Sequence, residues 1–138
     1  MKHPTFTKTE KRLIAGAFAL LIVHSIIIAT RVYSIIPGTD VLMHFTGGLL
    51  VAAFFVARFK SLFPERSKPK ARGYIIITIL AATALVGVLW ELFEWGIDTH
   101  LISGFMGDLD DTMLDFIMDL LGASVIAFWT TRKQPLSS

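Results

Sequence analysis

Four long apolar runs constrain this chain more than anything else in it: Leu13 to Val32, Val41 to Phe59, Tyr74 to Trp95 and Thr112 to Thr130. Each is close to the roughly 20 residues that a helix rising ~1.5 Å per residue needs to cross ~30 Å of hydrocarbon. Charged residues make up 17% of the chain, against about 25% in a soluble domain. The expected fold class is therefore all-α, a four-helix transmembrane bundle. It is read as a single integral membrane domain over residues 1–138, with spans at about 13–32, 41–59, 74–95 and 112–130. The first run follows Lys8, Lys11 and Arg12 but is too long for a cleaved signal and has no A-x-A site after it, so it reads as a retained span. With no cysteine, disulfides, thiolate metal sites and cysteine nucleophiles are excluded.

Charge separates along the chain. Lys2, Lys8, Lys11 and Arg12 precede the first span. Arg58, Lys60, Arg66, Lys68, Lys70 and Arg72 flank the second loop, and Arg132 and Lys133 follow the fourth span. Together these are all but one of the 13 basic residues, Arg31 being the exception. Basic loops stay cytoplasmic, which predicts both termini inside and a multi-pass protein of the cell membrane. Of the 11 acidic residues, all but Glu10 and Glu65 fall at the opposite ends. Basic residues scattered over three segments, without interleaved aromatics, do not support a nucleic-acid partner.

The acids concentrate in Glu91 to Asp119, which holds no Lys or Arg. Glu91, Glu94 and Asp98 are spaced i, i+3, i+7, and Asp111, Asp115 and Asp119 are spaced i, i+4, i+8. Each set is one helical stripe. Asp40 and His44 share a face at the start of the second span, and His24 and Arg31 lie in the outer half of the first. Some of this has an architectural reading. Asp40 or Asp111 is expected as a helix N-cap, with Thr112 and Asp115 at capping-box spacing. Trp90 and Trp95 are expected in the interfacial belt, and Gly47-Gly48 and Gly122-Ala123-Ser124 as surfaces for close helix contact. Arg31 is expected to snorkel.

Caps do not explain Glu91, Glu94, Asp115 and Asp119. A carboxylate at the centre of a span costs about 2.5–3.5 kcal/mol on insertion scales, less where it is shallower. Either some of these acids are protonated, or a bound cation or water-filled cavity compensates them. A divalent metal is the simplest compensator, and imidazole with carboxylates suits zinc, manganese, iron or magnesium. His44, Glu94, Asp111 and Asp115 are the candidate ligands, with Glu91 and Asp119 as candidate catalytic groups. His24, Arg31, Asp40, Asp98, His100 and Asp108 are candidates for contact with substrate or support of the ligands. The segment 97–107 is expected to be a lid, a re-entrant segment or a surface loop.

At these residues the chain resembles the YjdF-like and VanZ-like small bacterial membrane proteins. The likeness rests on H-F-x-x-G at His44 to Gly48, E-L-F-E-W at Glu91 to Trp95, and G-D-x-x-D-T-x-x-D at Gly107 to Asp115. It covers the second to fourth spans and is closer to the YjdF-like group. The Gln and Arg positions of the VanZ-like group between the third and fourth spans have no counterpart here. The resemblance implies a multi-span fold and, through the VanZ-like branch, the cell envelope and glycopeptide (teicoplanin) resistance. Three functions follow as expectations. One is a metal-dependent enzyme acting at the outer leaflet on a lipid or lipid-linked envelope substrate, by hydrolysis or phosphoryl-type transfer. Another is a binding or assembly protein that captures a cationic partner and is open to homo-oligomerisation. The third is an ion or proton pathway, which the lack of strongly polar residues in the inner half of every span disfavours.

Overall fold

A computed structural model describes residues 5–30, 32–36, 38–63, 69–101 and 107–132. All regular structure among them is helical: α1 (Lys8–Ala29), the short α2 (Val32–Ile35), α3 (Thr39–Phe59) with a 3-10 turn at Lys60–Leu62, α4 (Pro69–His100) and α5 (Leu109–Arg132). Four of these are long and apolar enough to cross a membrane. Hydrocarbon offers the backbone no hydrogen-bond partners, so a span must satisfy its own N–H and C=O groups, and a helix does so.

α4 and α5 run past their apolar runs at both ends and α1 and α3 at their starts, while α1 stops at Ala29, short of Val32, and α3 ends with its run at Phe59. Capping chemistry, not hydropathy alone, sets these limits. The Thr7 hydroxyl accepts from the Glu10 backbone N–H and the Glu10 carboxylate accepts from the Thr7 N–H, a closed capping box before α1. Gly38, with φ 82°, turns the chain into α3, so Asp40 lies inside the first turn and is not its N-cap. At α5 the cap is Asp108, whose Oδ1 accepts from the Asp111 N–H at 3.0 Å. That displaces the expected cap at Asp111 by one turn. The third span gains most: α4 continues through Gly96, Asp98 and His100, which hydropathy alone leaves in a loop. The segment 97–107 is thus helical up to His100, and residues 102–106 lie outside the described residues, as does Arg31.

α5 packs against α3 and α4, and α1 packs along α3 on the outside of that trio. The tightest contact is between α3 and α5. A Cβ at Gly48 would overlap the Asp119 backbone carbonyl, and one at Gly122 the Phe45 carbonyl. Small residues allow this approach, which in a bilayer replaces the hydrophobic drive between helices. Of the expected surface at the α5 end, Gly122 and Ala123 are buried, while Ser124 faces outward. The core below is dry: Ala52, Ile75, Ile79, Ala123 and Ala127. Outside it, Phe18, Ile22, Ile77, Leu85, Phe128 and Trp129 are exposed. So large an apolar surface suits lipid and not water.

Candidate functional site

His44, one turn into α3, is the centre of a polar cluster at the end of the bundle where α3 and α5 begin and α4 ends. Its Nε2 lies 3.7 Å from Asp115 Oδ1, 3.9 Å from Asp40 Oδ1 and 4.0 Å from Glu91 Oε1. Its Nδ1 faces the other way, 3.6 Å from Asp119 Oδ1. Glu91 and Glu94 come from α4, Asp115 and Asp119 from α5, and all four are buried. The i, i+3 and i, i+4 spacings turn each pair toward α3 because α4 and α5 lie side by side. The helix N-termini of α3 and α5 point into this region, which favours negative charge there.

One donor atom from each of Asp40, His44 and Asp115 falls within 4.8 Å of the others, and the same holds for His44, Glu91 and Glu94. Two ligands held at ~2.1 Å from one ion are at most ~4.2 Å apart, and the three Nε2 distances fall inside that limit. Thr112 donates to Glu91 Oε2 at 3.2 Å. Glu91 Oε1 and Asp115 Oδ1, however, are fully buried and find no hydrogen-bond partner among the described residues. A buried acceptor left unmet costs about 1–3 kcal/mol, more when charged. Both orphaned oxygens face His44 Nε2. Among the described residues, histidines alone approach the five carboxylates at ion-pair distance.

A second network adjoins the first. His24 Nδ1 is 2.6 Å from the Tyr33 hydroxyl and its Nε2 is 3.3 Å from Glu94 Oε1. The imidazole thus shares a hydrogen bond with the phenol through Nδ1 and turns Nε2 toward the Glu94 carboxylate. Burial first, and then the Asp40 and Glu94 charges, hold the Tyr33 hydroxyl well above the ordinary tyrosine range. It therefore remains a donor. Trp90 stands edge-on to His24, with ring centroids 5.2 Å apart, so this indole packs inside the bundle; Trp95 is 52% exposed, as a belt residue would be.

Below the cluster, between α1, α3 and α4, lies a cavity of about 250 Å³. Its walls are mostly aliphatic, and His24, His44, Thr83 and Asp119 are the polar residues that reach it. Asp119 belongs to α5, on the far side of α3 and α4. It reaches through because Gly87 carries no side chain: a Cβ there would stand 2.5 Å from Asp119 Oδ2, while Gly47 borders the same opening at ordinary contact distance.

The remaining sequence candidates are distributed around this centre. Asp98 is half-buried one turn beyond Glu94, and His100 is exposed, edge-on to Trp95. Asp108 is exposed and caps α5. Asp111 is half-buried against Gly107 and belongs to neither set of convergent donors, whereas Asp40 does. Sequence reasoning missed Tyr33, Thr112, Gly87 and the inward placement of Trp90. Tyr33 reaches His24 across a chain reversal, which leaves no periodic signal. Thr112 was legible as the residue one turn before Asp115 on the same face.

The chain is similar to a Thermotoga maritima protein described as uncharacterized, with 35% identity over 98 residues, which is 69% of this chain. It spans about half the length of that relative, 48%. No solved structure matches. The sequence profile described as "Predicted membrane protein (DUF2238)" matches residues 3–135, all four spans and the whole polar cluster, and the chain belongs to that family, the YjdF-like one.

Proposed function

We propose that the cluster is a divalent-metal centre of a membrane enzyme that acts on a lipid or lipid-linked substrate at the extracytoplasmic face. The observation that carries this reading is the pair of buried, unpartnered oxygens, Glu91 Oε1 and Asp115 Oδ1, aimed at the same imidazole nitrogen. Among the described residues no hydrogen bond meets them, and a cation would. The donors form two sets that share His44, one with Asp40 and Asp115 and one with Glu91 and Glu94, each an imidazole with two carboxylates. Either fits zinc, manganese, iron or magnesium. Bound there, the ion would polarise a phosphoryl or carbonyl oxygen or acidify a water.

The protein's own groups have separate tasks in this reading. Asp119 orients His44 through Nδ1, as carboxylates do for metal-binding imidazoles. It also borders the cavity and is the group placed to take a proton from a substrate there. Glu91, a catalytic candidate by sequence, sits among the donors and is assigned to the ion. The His24–Tyr33 pair holds Glu94. The basic segments at the other end support a cytoplasmic side for both termini, and the looser VanZ-like likeness fits an envelope substrate. Two other readings are weaker on specific grounds. Capture of a cationic protein would use the exposed Asp108 and Asp110 and gives no reason for the burial of Glu91, Glu94, Asp115 and Asp119. A conduit needs a polar path inward, and the inner half of the bundle is packed with Ala52, Ile75, Ile79, Ala123 and Ala127.

Elemental analysis of detergent-purified protein tests the proposal. Wild type should carry a stoichiometric divalent metal, and Glu91→Gln and Asp115→Asn should each lose it. A folded wild type that neither retains nor takes up a divalent ion refutes it.

A further inference from the structure

We infer that the cavity between α1 and α4 is the seat of a single hydrocarbon chain, the tail of a membrane amphiphile whose head lies at the His44–Asp119 end. Its place in the fold supports this first. Its lining runs from His44, one turn into α3, down to Ala17, Val51 and Thr83, which are central in their helices. The surroundings at that depth are lipid tails, not water. α1 packs on α3, and at the level of His24 its side chains reach Glu94 and Trp90 of α4. Leu21 and Val86 both line the cavity and are 41% and 43% exposed. Those two residues mark a mouth that opens sideways into the bilayer.

The contents follow from the walls. An aliphatic void gives water too few hydrogen-bond partners to hold it, and an empty one forfeits packing on every lining atom. A chain from the surrounding leaflet meets neither objection. A volume of about 250 Å³ is just under the ~300–1,000 Å³ of pockets for whole small molecules. It suits one tail, with the head outside. The titratable groups are at one end, where Asp119 looks through the Gly47–Gly87 opening and His24 and His44 line the top; Thr83, deeper in α4, gives its hydroxyl proton to the Ile79 carbonyl. A chain in the cavity thus brings its head to the cluster. That the head carries a phosphate rests on the metal reading above; the chain seat does not.

The test uses the full-length protein in phosphatidylcholine vesicles with two photoreactive probes. These are hexadecyl phosphate and hexadecanol, each bearing a diazirine in the tail, with labelled residues mapped by mass spectrometry. Labelling should be several-fold richer at Leu20, Leu50 and Val51 than on the outward residues Phe18, Ile22 and Phe128. Ala17→Trp and Leu21→Trp, on the α1 wall and away from the cluster, should each remove that enrichment while leaving the thermal midpoint near wild type. Equal labelling of cavity and outer surface in wild type overturns the inference, as does enrichment that survives both tryptophans in folded protein. Chelation separates the two proposals. If it lowers cavity labelling by the phosphate but not by the alcohol, both stand. If wild type binds no metal yet the alcohol still labels the cavity, the chain seat stands and the metal centre falls. If the protein is metal-loaded but shows no cavity enrichment, the metal centre stands and the chain seat falls.

Discussion

Asp119 holds His44 from behind: its Oδ1 is 3.6 Å from Nδ1, on the ring edge opposite the nitrogen that faces Asp40, Glu91 and Asp115. This separates two kinds of acid within one cluster. Asp119→Asn should keep a bound metal but lower its affinity by about 10–100-fold, the usual range for losing a carboxylate that orients a ligand. His44→Ala removes the central donor and should abolish stoichiometric binding. Titration of the chelated protein with a metal-sensitive dye in competition distinguishes the two.

Asp115 should affect stability with opposite signs in the presence and absence of metal. Without an ion, its buried Oδ1 has no hydrogen-bond partner among the described residues and shares His44 Nε2 with the Asp40 and Glu91 carboxylates, so Asp115→Asn should raise the unfolding midpoint of chelated protein. With an ion at about 100 times its Kd, wild type gains ~2.7 kcal/mol, and the variant should gain little. Thermal unfolding in detergent, with chelator and with metal, gives all four values.

Glycines in the same bundle should behave differently. Gly122→Ala and Gly48→Ala place a Cβ on backbone of the facing helix, where no rotamer change gives relief. Each should cost about 1–3 kcal/mol, as overpacking of a tight contact does. Gly96 is helical with nothing within 4 Å of an added Cβ, so Gly96→Ala should stabilise α4 by up to ~1 kcal/mol. Equal effects at all three positions would contradict the α3–α5 contact.

Tyr33 should titrate late. Its hydroxyl is held above the ordinary range by burial and by the Asp40 and Glu94 charges, while the unfolded chain ionises near pH ~10. Stability from the neutral phenol is then complete below pH ~10 and declines as pH rises toward the folded value, because the unfolded state releases the proton first. Tyr33→Phe should flatten that decline and cost about 0.5–1.5 kcal/mol at neutral pH through the lost bond to His24. Phenolate absorbance and unfolding midpoints across pH measure both.

Orientation is open to a direct test. With both termini inside, alkaline phosphatase fused after Ser138 should be inactive in cells and active when inserted after Leu101, at the end of α4. The opposite pattern would move the cluster to the cytoplasmic face.

Local sequence was enough for the four membrane-length helices and the two acidic stripes. Hydropathy over about 20 residues and the 3.6-residue period are properties of a single segment. It was also enough to show His44 as one turn into a span, beside Asp40. Which carboxylates converge was decided by how the helices cross. Gly48 and Gly122 seat α5 against α3, which sets Asp115 and Asp119 on either side of His44 and leaves Asp111 a turn away. The Gly47–Gly87 opening, the inward Trp90, the Tyr33–His24 bond and the cavity depend on side chains from separate helices meeting. No period within one segment encodes such a meeting, because register and distance between helices arise from packing of the whole bundle.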